Sequence, residues 1–483
     1  MEVGEDVLFS GVAALSARLR TCELSPVELA RAHLARIEAL APRLGCFVTV
    51  TAERALADAR EAEASLSAGR WRGPLHGVPV GVKDVIDTKG IATTLGARPL
   101  AGRVPERDAT VVARLAAAGA VLAGKLSSIE LAGGLGYGSA AAALNGPCRT
   151  PWDLSRWAGG SSSGAGSAVA AGLVPFALGT ETLGSLVCPA AFCGVTAFRP
   201  TYGVLSRHGA MPVSYTLDKV GPVCRSAEDC ALVVSALSGA DPRDPSSIPP
   251  PPGLDRARAL VPPGLRLGVL PFPGTKGVLA GAREAFTAAL EVFRAAGALV
   301  EEAILPELPY DEVATVIFEA EAANAFEELV RSGRTRELDD PSHQARLPAD
   351  YLPRATSADY VRASRLRAEI QRRLARLFER HDLLVAANLP FAPPRVDAPL
   401  DAEPWWNAPD PLGAAGNLAG LPALALPVGL AGGLPVSSVL VGPALEDARV
   451  LSAGVLFQSR TAHHLARPPL APQGPAVAAV TAP

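Results

Sequence analysis

Two serine-bearing, glycine-flanked loops lie within Gly159–Gly203 of this chain, with Ser161 opening the first and Ser185 closing the second. An apolar run of small residues, Ala168 to Leu178, separates them. Such a pattern reads as two tight backbone turns held against a core, each presenting a hydroxyl. Ser185 ends the run Gly179-Thr180-Glu181-Thr182-Leu183-Gly184-Ser185. A turn this rich in small residues offers several backbone N–H groups around one hydroxyl, and such donors can hold a developing oxyanion. Ser161 lies in Gly159-Gly160-Ser161-Ser162-Ser163-Gly164. A flexible linker is disfavoured there by the adjacent apolar segment, and a phosphate loop by the missing lysine. A nucleophile elbow centred on Ser162 fits the G-x-S-x-G spacing, but a Gly/Ser-rich loop matches that pattern easily, and it needs an acid and a histidine such as His208. The third candidate is Lys83, at the end of the apolar run Val78–Val82. A lysine there either snorkels to solvent or, if buried, loses its charge and serves as a base without any histidine.

The elements that must position these groups alternate in type. Ser25-Pro26-Val27-Glu28 reads as a helix start before an apolar periodicity. A second helix is expected over Glu53–Ala68, a strand over Val78–Val82, a helix over Ala109–Ala118 and a strand over Ala120–Ala123. Strand and helix in turn predict an α/β layer fold. The proline-rich residues 241–253 mark a loop or boundary. Long helices are expected over Asp311–Ser332 and Ser357–Arg380, and buried strands with turns over Pro411–Pro443, where prolines and glycines exclude a spanning helix.

With 49% hydrophobic and 19% charged residues, the 483-residue chain builds a large core. A net charge of −3 argues against a nucleic-acid surface. Seven scattered cysteines without a C-x-x-C pair predict neither zinc site nor disulfide framework. The acidic N-terminus shows no secretory pattern, so a cytoplasmic protein without a membrane segment is expected.

The stretches GPLHGVPVGVKD, DATVVARLAAAGAVLAGK, the serine-rich segment, FRPTYGVLSRHGA, LDKVGP and AGNLAGLPALALPVG together resemble the amidase signature family. That resemblance implies a large mixed, mostly parallel twisted sheet covered by helices on both faces, with a helical cap subregion. It implies one domain over 1–483, with a core of about 10–240 and 380–470 and a variable cap of about 255–380. It also implies a Ser–cis-Ser–Lys triad of Lys83, Ser161 and Ser185, supported by Ser162 and Glu181. The oxyanion hole would be the backbone N–H groups of Thr182, Leu183, Gly184 and Ser185, with no metal and no cofactor. Three positions depart from the pattern: Glu181 replaces the usual aspartate, Leu183 the first glycine before the nucleophile, and Val187 the usual arginine.

The leading expectation is hydrolysis of small neutral amides or anilides, with carbamates (urethanes) and esters as further substrates, through an acyl-enzyme on Ser185. An isobutyl group at Leu183 suits an apolar acyl or amine part. Small-molecule amides or carbamates would then be the only partners, with no nucleic acid and no membrane; a homodimer is left open. A glutaminase-type subunit of a tRNA-dependent amidotransferase is the alternative, with the three departures weighing against it. A catalytically silent binding relative is the remaining reading.

Overall fold

Alternate residues along single strands supply two different cores, and this sets the architecture. Leu424 and Leu426 pack in one apolar cluster while Ala423 and Ala425 pack in another. Phe176 and Leu178 likewise part from Ala177, and Leu383 and Val385 from Leu384 and Ala386. A strand whose both faces are buried must belong to a sheet covered on both sides. The computed structural model describes residues 3–257, 264–274, 276–351, 353, 355–406 and 410–470. Residues 258–263 of the expected cap and 471–483 of the expected single domain lie outside the described residues.

Among the described residues one sheet of eleven strands dominates. Its order is β1 (Phe47–Val50), β3 (Val121–Leu126), β2 (Pro79–Lys83), β6 (Phe176–Glu181), β8 (Lys219–Cys224), β7 (Thr196–Arg199), β12 (Ala423–Ala431), β13 (Leu434–Val441), β11 (Leu383–Asn388), β9 (Arg266–Val269) and β10 (Leu299–Glu302). A separate ribbon joins β4 (Arg149–Thr150) to β5 (Asp153–Trp157). Parallel pairing joins β3, β2 and β6 near one end and β11, β9 and β10 at the other. The pairs between β6 and β11 are antiparallel, as is β1 on β3. The fold is the expected α/β class.

One face is covered by the helices Val12–Arg20, Thr110–Ala117, Ala227–Leu237, Ala282–Ala295 and Asp447–Ser459. The other carries Pro26–Leu44, Ser163–Ala170, Val187–Cys193, Tyr310–Ala325 and Ser357–Arg380. Ser25 starts Pro26–Leu44 as expected, its hydroxyl accepting from the Val27 and Glu28 amides at 3.1 Å. The stretch 411–443 differs from expectation in its first part. Pro411–Leu418 is a helix, because Asp410 caps it by accepting from the Gly413 amide at 2.9 Å; β12 and β13 then follow as buried strands. No helix among the described residues is long and apolar enough to cross a membrane.

The second face is lined with alanine where Ser163–Ala170 rests: Ala123 and Ala177 of the sheet meet Ala165, Ala168 and Val169 of the helix. Small side chains bring the helix backbone close to the sheet. Gly164 marks the closest approach, since a Cβ there would stand 2.4 Å from both the Cys46 carbonyl oxygen and the Ser127 amide nitrogen. Backbone atoms cannot swing aside as a side chain can. Gly164→Ala is therefore expected to lower stability by about 1–3 kcal/mol, read as a lower urea midpoint with an unchanged slope.

Candidate active site

β2 and β6 are parallel neighbours, with Val82 opposite Leu178, so their C-terminal ends emerge side by side. Lys83 is the last residue of β2, and Thr180 and Glu181 close β6. The loop before the helix Ser163–Ala170 crosses these ends, and its Gly160–Ser161 peptide bond is cis. Lys83 Nζ lies 2.8 Å from Ser161 Oγ, which lies 3.0 Å from Ser185 Oγ. Lys83 is fully buried and Ser161 is 2% exposed, whereas Ser185 is half-buried. The row of groups thus runs from the interior to an accessible hydroxyl.

Burial pushes the Lys83 ammonium down from 10.5 to about 7, against the opposing pull of the Asp218 and Glu181 carboxylates. A neutral amine has two N–H bonds and one lone pair. Thr180 Oγ1, 2.9 Å away, can take one N–H, which leaves the lone pair for the Ser161 hydroxyl. The chain can therefore pass a proton from Ser185 through Ser161 to Lys83 and back. The N–H groups of Leu183, Gly184 and Ser185 find no acceptor among the described residues, so they are free to face a developing oxyanion.

Ser162 and Glu181, to which the resemblance gives supporting roles, make the following contacts. Ser162 Oγ donates to the Thr180 carbonyl at 3.0 Å, and the Ser162 amide donates to the Ser185 carbonyl at 3.2 Å. This ties the first serine loop to β6 without an arginine at 187. Glu181 accepts from the Leu186 and Val187 amides at 2.8 and 3.1 Å. Burial would raise its carboxyl, but Arg199 and Lys219 overcome this and hold it down to about 2. Arg199 pairs with it directly and Asn417 donates to it at 3.1 Å. Neither Arg199 nor Asn417 nor Thr180 carries a motif signal of its own. Arg199 stands within FRPTYG and Asn417 within AGNLAG, stretches that carry the resemblance but no assigned role. His208 takes no part in the relay; it lines a cavity with Asp218 and Lys219. Among the described residues no cluster of three or more His, Cys, Asp or Glu side chains is placed to hold a metal.

Leu183 is 38% exposed and lines a cavity of about 700 Å³ with Gly134, Leu135, Phe318 and Tyr351. The same wall carries Glu319, Arg346 and Asp350. Arg346 Nη1 donates to the Leu135 carbonyl at 3.2 Å, and its guanidinium stacks on Tyr351. The cavity is thus not the apolar slot that Leu183 alone suggested.

The Amidase family profile matches residues 28–451. This chain belongs to the amidase signature family. Membership carries hydrolysis at carbon–nitrogen bonds as the general chemistry. The A subunit of the glutamyl-tRNA(Gln) amidotransferase of Symbiobacterium thermophilum is 37% identical, over 94% of this chain and 97% of that protein. The solved structure of the same-named protein from Thermotoga maritima is 28% identical with a TM-score of 0.74, covering 94% of this chain and 95% of its own. A solved peptide amidase from Stenotrophomonas maltophilia is 32% identical with a TM-score of 0.80, covering 95% and 98%.

These relatives correct two expectations. Near full-length similarity to proteins named as amidotransferase subunits overturns the reading as a hydrolase of small neutral amides, anilides, carbamates or esters. It also overturns the expectation of a small-molecule substrate alone with no nucleic acid, because those relatives are named for a tRNA and as subunits. The physical reason lies in the cavity. The apolar reading rested on Leu183, while the charged wall comes from residues 319–350, which carry no motif.

A lysine that acts as a base must be neutral, so for Lys83 in that role kcat/KM is expected to rise with pH through an apparent pKa near 7 and then level, measured from about pH 5.5 to 9.5. The same burial makes Lys83 a stability penalty. Its folded value is below its unfolded one, so the penalty is full below about 7 and shrinks as pH climbs towards 10.5. Lys83→Met should accordingly raise Tm more at about pH 6 than at about pH 9, while abolishing turnover.

Proposed function

We propose that this chain is the glutaminase-type subunit of an amidotransferase. It releases ammonia from the side-chain carboxamide of glutamine through an acyl-enzyme on Ser185, beside partner subunits that deliver the ammonia to a tRNA-linked acceptor. The observation that carries this reading is that Leu183, two residues before Ser185 in the nucleophile loop, lines a cavity bearing both signs of charge. Arg346 suits an α-carboxylate, and Glu319 and Asp350 suit an α-ammonium. Near full-length relatives named as the A subunits of amidotransferases support the same class.

In this reading Lys83, Ser161 and Ser185 are the catalytic residues. Neutral Lys83 takes the Ser161 proton as Ser161 takes that of Ser185, and Ser185 Oγ attacks the carboxamide carbon. The Leu183, Gly184 and Ser185 amides, with that of Thr182, receive the oxyanion; each such donor is worth ~2.7–4 kcal/mol of barrier. The proton returns through Ser161 to the nitrogen, the C–N bond breaks and ammonia leaves. Water then attacks the ester, the relay takes its proton, and glutamate departs. Ser162 and Glu181 hold the two loops in place. We also take the chain as one cytoplasmic domain, with 255–380 as the variable part; the strands β9 and β10 of that part extend the common sheet.

Purified chain incubated with L-glutamine should yield ammonia and glutamate in equal amounts, and Ser185→Ala should remove more than about a thousandfold of the rate. Arg346→Ala should raise KM for glutamine about tenfold or more with kcat little changed. Efficient cleavage of neutral anilides by an enzyme inert on glutamine, alone and with its partner subunits, would defeat the reading.

A further inference from the structure

The ladder between β6 and β8 ends at the pair Glu181 and Lys219. The next residues outward, Thr182 and Asp218, face each other across the same edge and are joined by side chains. Asp218 Oδ1 accepts from Thr182 Oγ1 at 2.6 Å. Its other oxygen, Oδ2, accepts from the Val213 and Ser214 amides at 2.8 and 2.9 Å. Three donors on two oxygens suit the ionised form, while burial raises this carboxyl above its ordinary value. Thr182 begins the four-residue loop to Ser185, and Gly184 within it has φ +103°. Past β6 the loop is held at its start through Thr182, within it by the Cys188 amide on the Gly184 carbonyl and the Ser162 amide on the Ser185 carbonyl, and beyond Ser185 through Glu181 and the Leu186 and Val187 amides.

We infer that Asp218 is a positioning residue for the nucleophile loop: its carboxylate clasps the Thr182 hydroxyl to the 213–214 turn, and so holds the loop amides and the Ser185 hydroxyl over Ser161. This rests on the reading of Ser185 as nucleophile. The clasp extends the β6–β8 ladder by one rung at the point where the backbone must leave the sheet to expose its N–H groups. A shift of about 1 Å in such a loop is enough to lose a hundredfold in rate. The same carboxylate is the first opposing charge on Lys83, ahead of Glu181. Other charged groups face this pair. Lys219 follows Asp218 in the chain; Arg199, Glu181 and Arg367 face Lys219; Arg207, His208, Arg243 and Asp244 line the adjoining cavity. One anion thus anchors the start of the nucleophile loop and, together with Glu181, contributes to the field at the base.

The test uses a fluorophosphonate that phosphonylates an activated serine, with the second-order labelling rate followed against pH in the full chain. This readout needs no glutamine. Thr182→Val, which swaps a hydroxyl for a methyl group, should slow labelling between about tenfold and a hundredfold with the pH midpoint unmoved. Thr182→Ser should recover most of the rate. Asp218→Asn removes an anion that favours protonated Lys83, so the acid limb should move down by about one pH unit. Wild-type rates in Thr182→Val overturn the clasp, and an unmoved limb in folded Asp218→Asn overturns the field. Where Asp218→Asn does not fold by circular dichroism, the Thr182→Val and Thr182→Ser pair decides alone. A wild-type chain labelled at Ser185 yet inert on glutamine sinks the glutaminase reading and leaves the positioning role standing. Wild type not labelled at Ser185 sinks both.

Discussion

Everything at this site depends on keeping one lysine uncharged while it is sealed inside the protein. Holding Lys83 near 7 rather than 10.5 reflects several kcal/mol of desolvation that the ammonium form would bear. Burial alone would drive the value lower still, and an amine that is too weak a base takes no proton from a serine. The carboxylates of Asp218 and Glu181 offset part of the effect. Glu181 is itself tied up by Arg199, Asn417 and two backbone amides, so its charge is spread over other donors before it reaches Lys83. The base strength is a balance between a dry strand end and two anchored anions.

That constraint explains the topology around it. A lysine at the end of a strand is sealed only if the neighbouring strands end at the same level and a further segment covers them. Parallel pairing of β3, β2 and β6 brings their C-terminal ends to one edge, where sites in open α/β sheets gather. The loop 159–162 supplies the cover, and it lies flat because the helix after it rests on alanine and glycine. The antiparallel pairing of β6 with β8 then places Asp218 opposite Thr182. Small residues on one face of the sheet and the position of the relay are therefore one design feature.

The relay was legible because its members carry chemistry in short motifs. Lys83 ends an apolar strand, and Ser161 and Ser185 sit in glycine-framed turns, so residue type and local spacing marked them as candidates, while only the family resemblance implied that they act together. Arg199, Asn417 and Asp218 were not legible as partners, although they lie in stretches that had been noticed. Their contacts span 18, 236 and 36 residues of chain, and only the sheet order makes them neighbours. The helix Pro411–Leu418 was missed for a local reason. Its glycines and uncharged neighbours suggested turns, but an aspartate cap followed by proline at the first helical position decided the matter.

The misjudged substrate class has the same root at a larger scale. Leu183 is a real departure and it does line the cavity. A single apolar side chain on a motif, however, describes one wall. The rest of the lining comes from the helix Tyr310–Ala325 and from Arg346, Asp350, Tyr351 and Pro353, and its polarity is invisible until the fold brings it round. There the Arg346 guanidinium is stacked on Tyr351 and held by the Leu135 carbonyl, so it is presented in one orientation. A planar donor fixed in this way matches a carboxylate better than a mobile lysine would, because less freedom is lost when the ion pair forms. In the proposed reading Leu183 is the apolar part of the lining along which the two methylenes of a glutamine side chain can lie. In the proposed glutaminase reading the charged ends meet Arg346, Glu319 and Asp350, and the carboxamide reaches Ser185. On this view the leucine does not mark an aryl pocket; it is the stretch of wall between two polar demands.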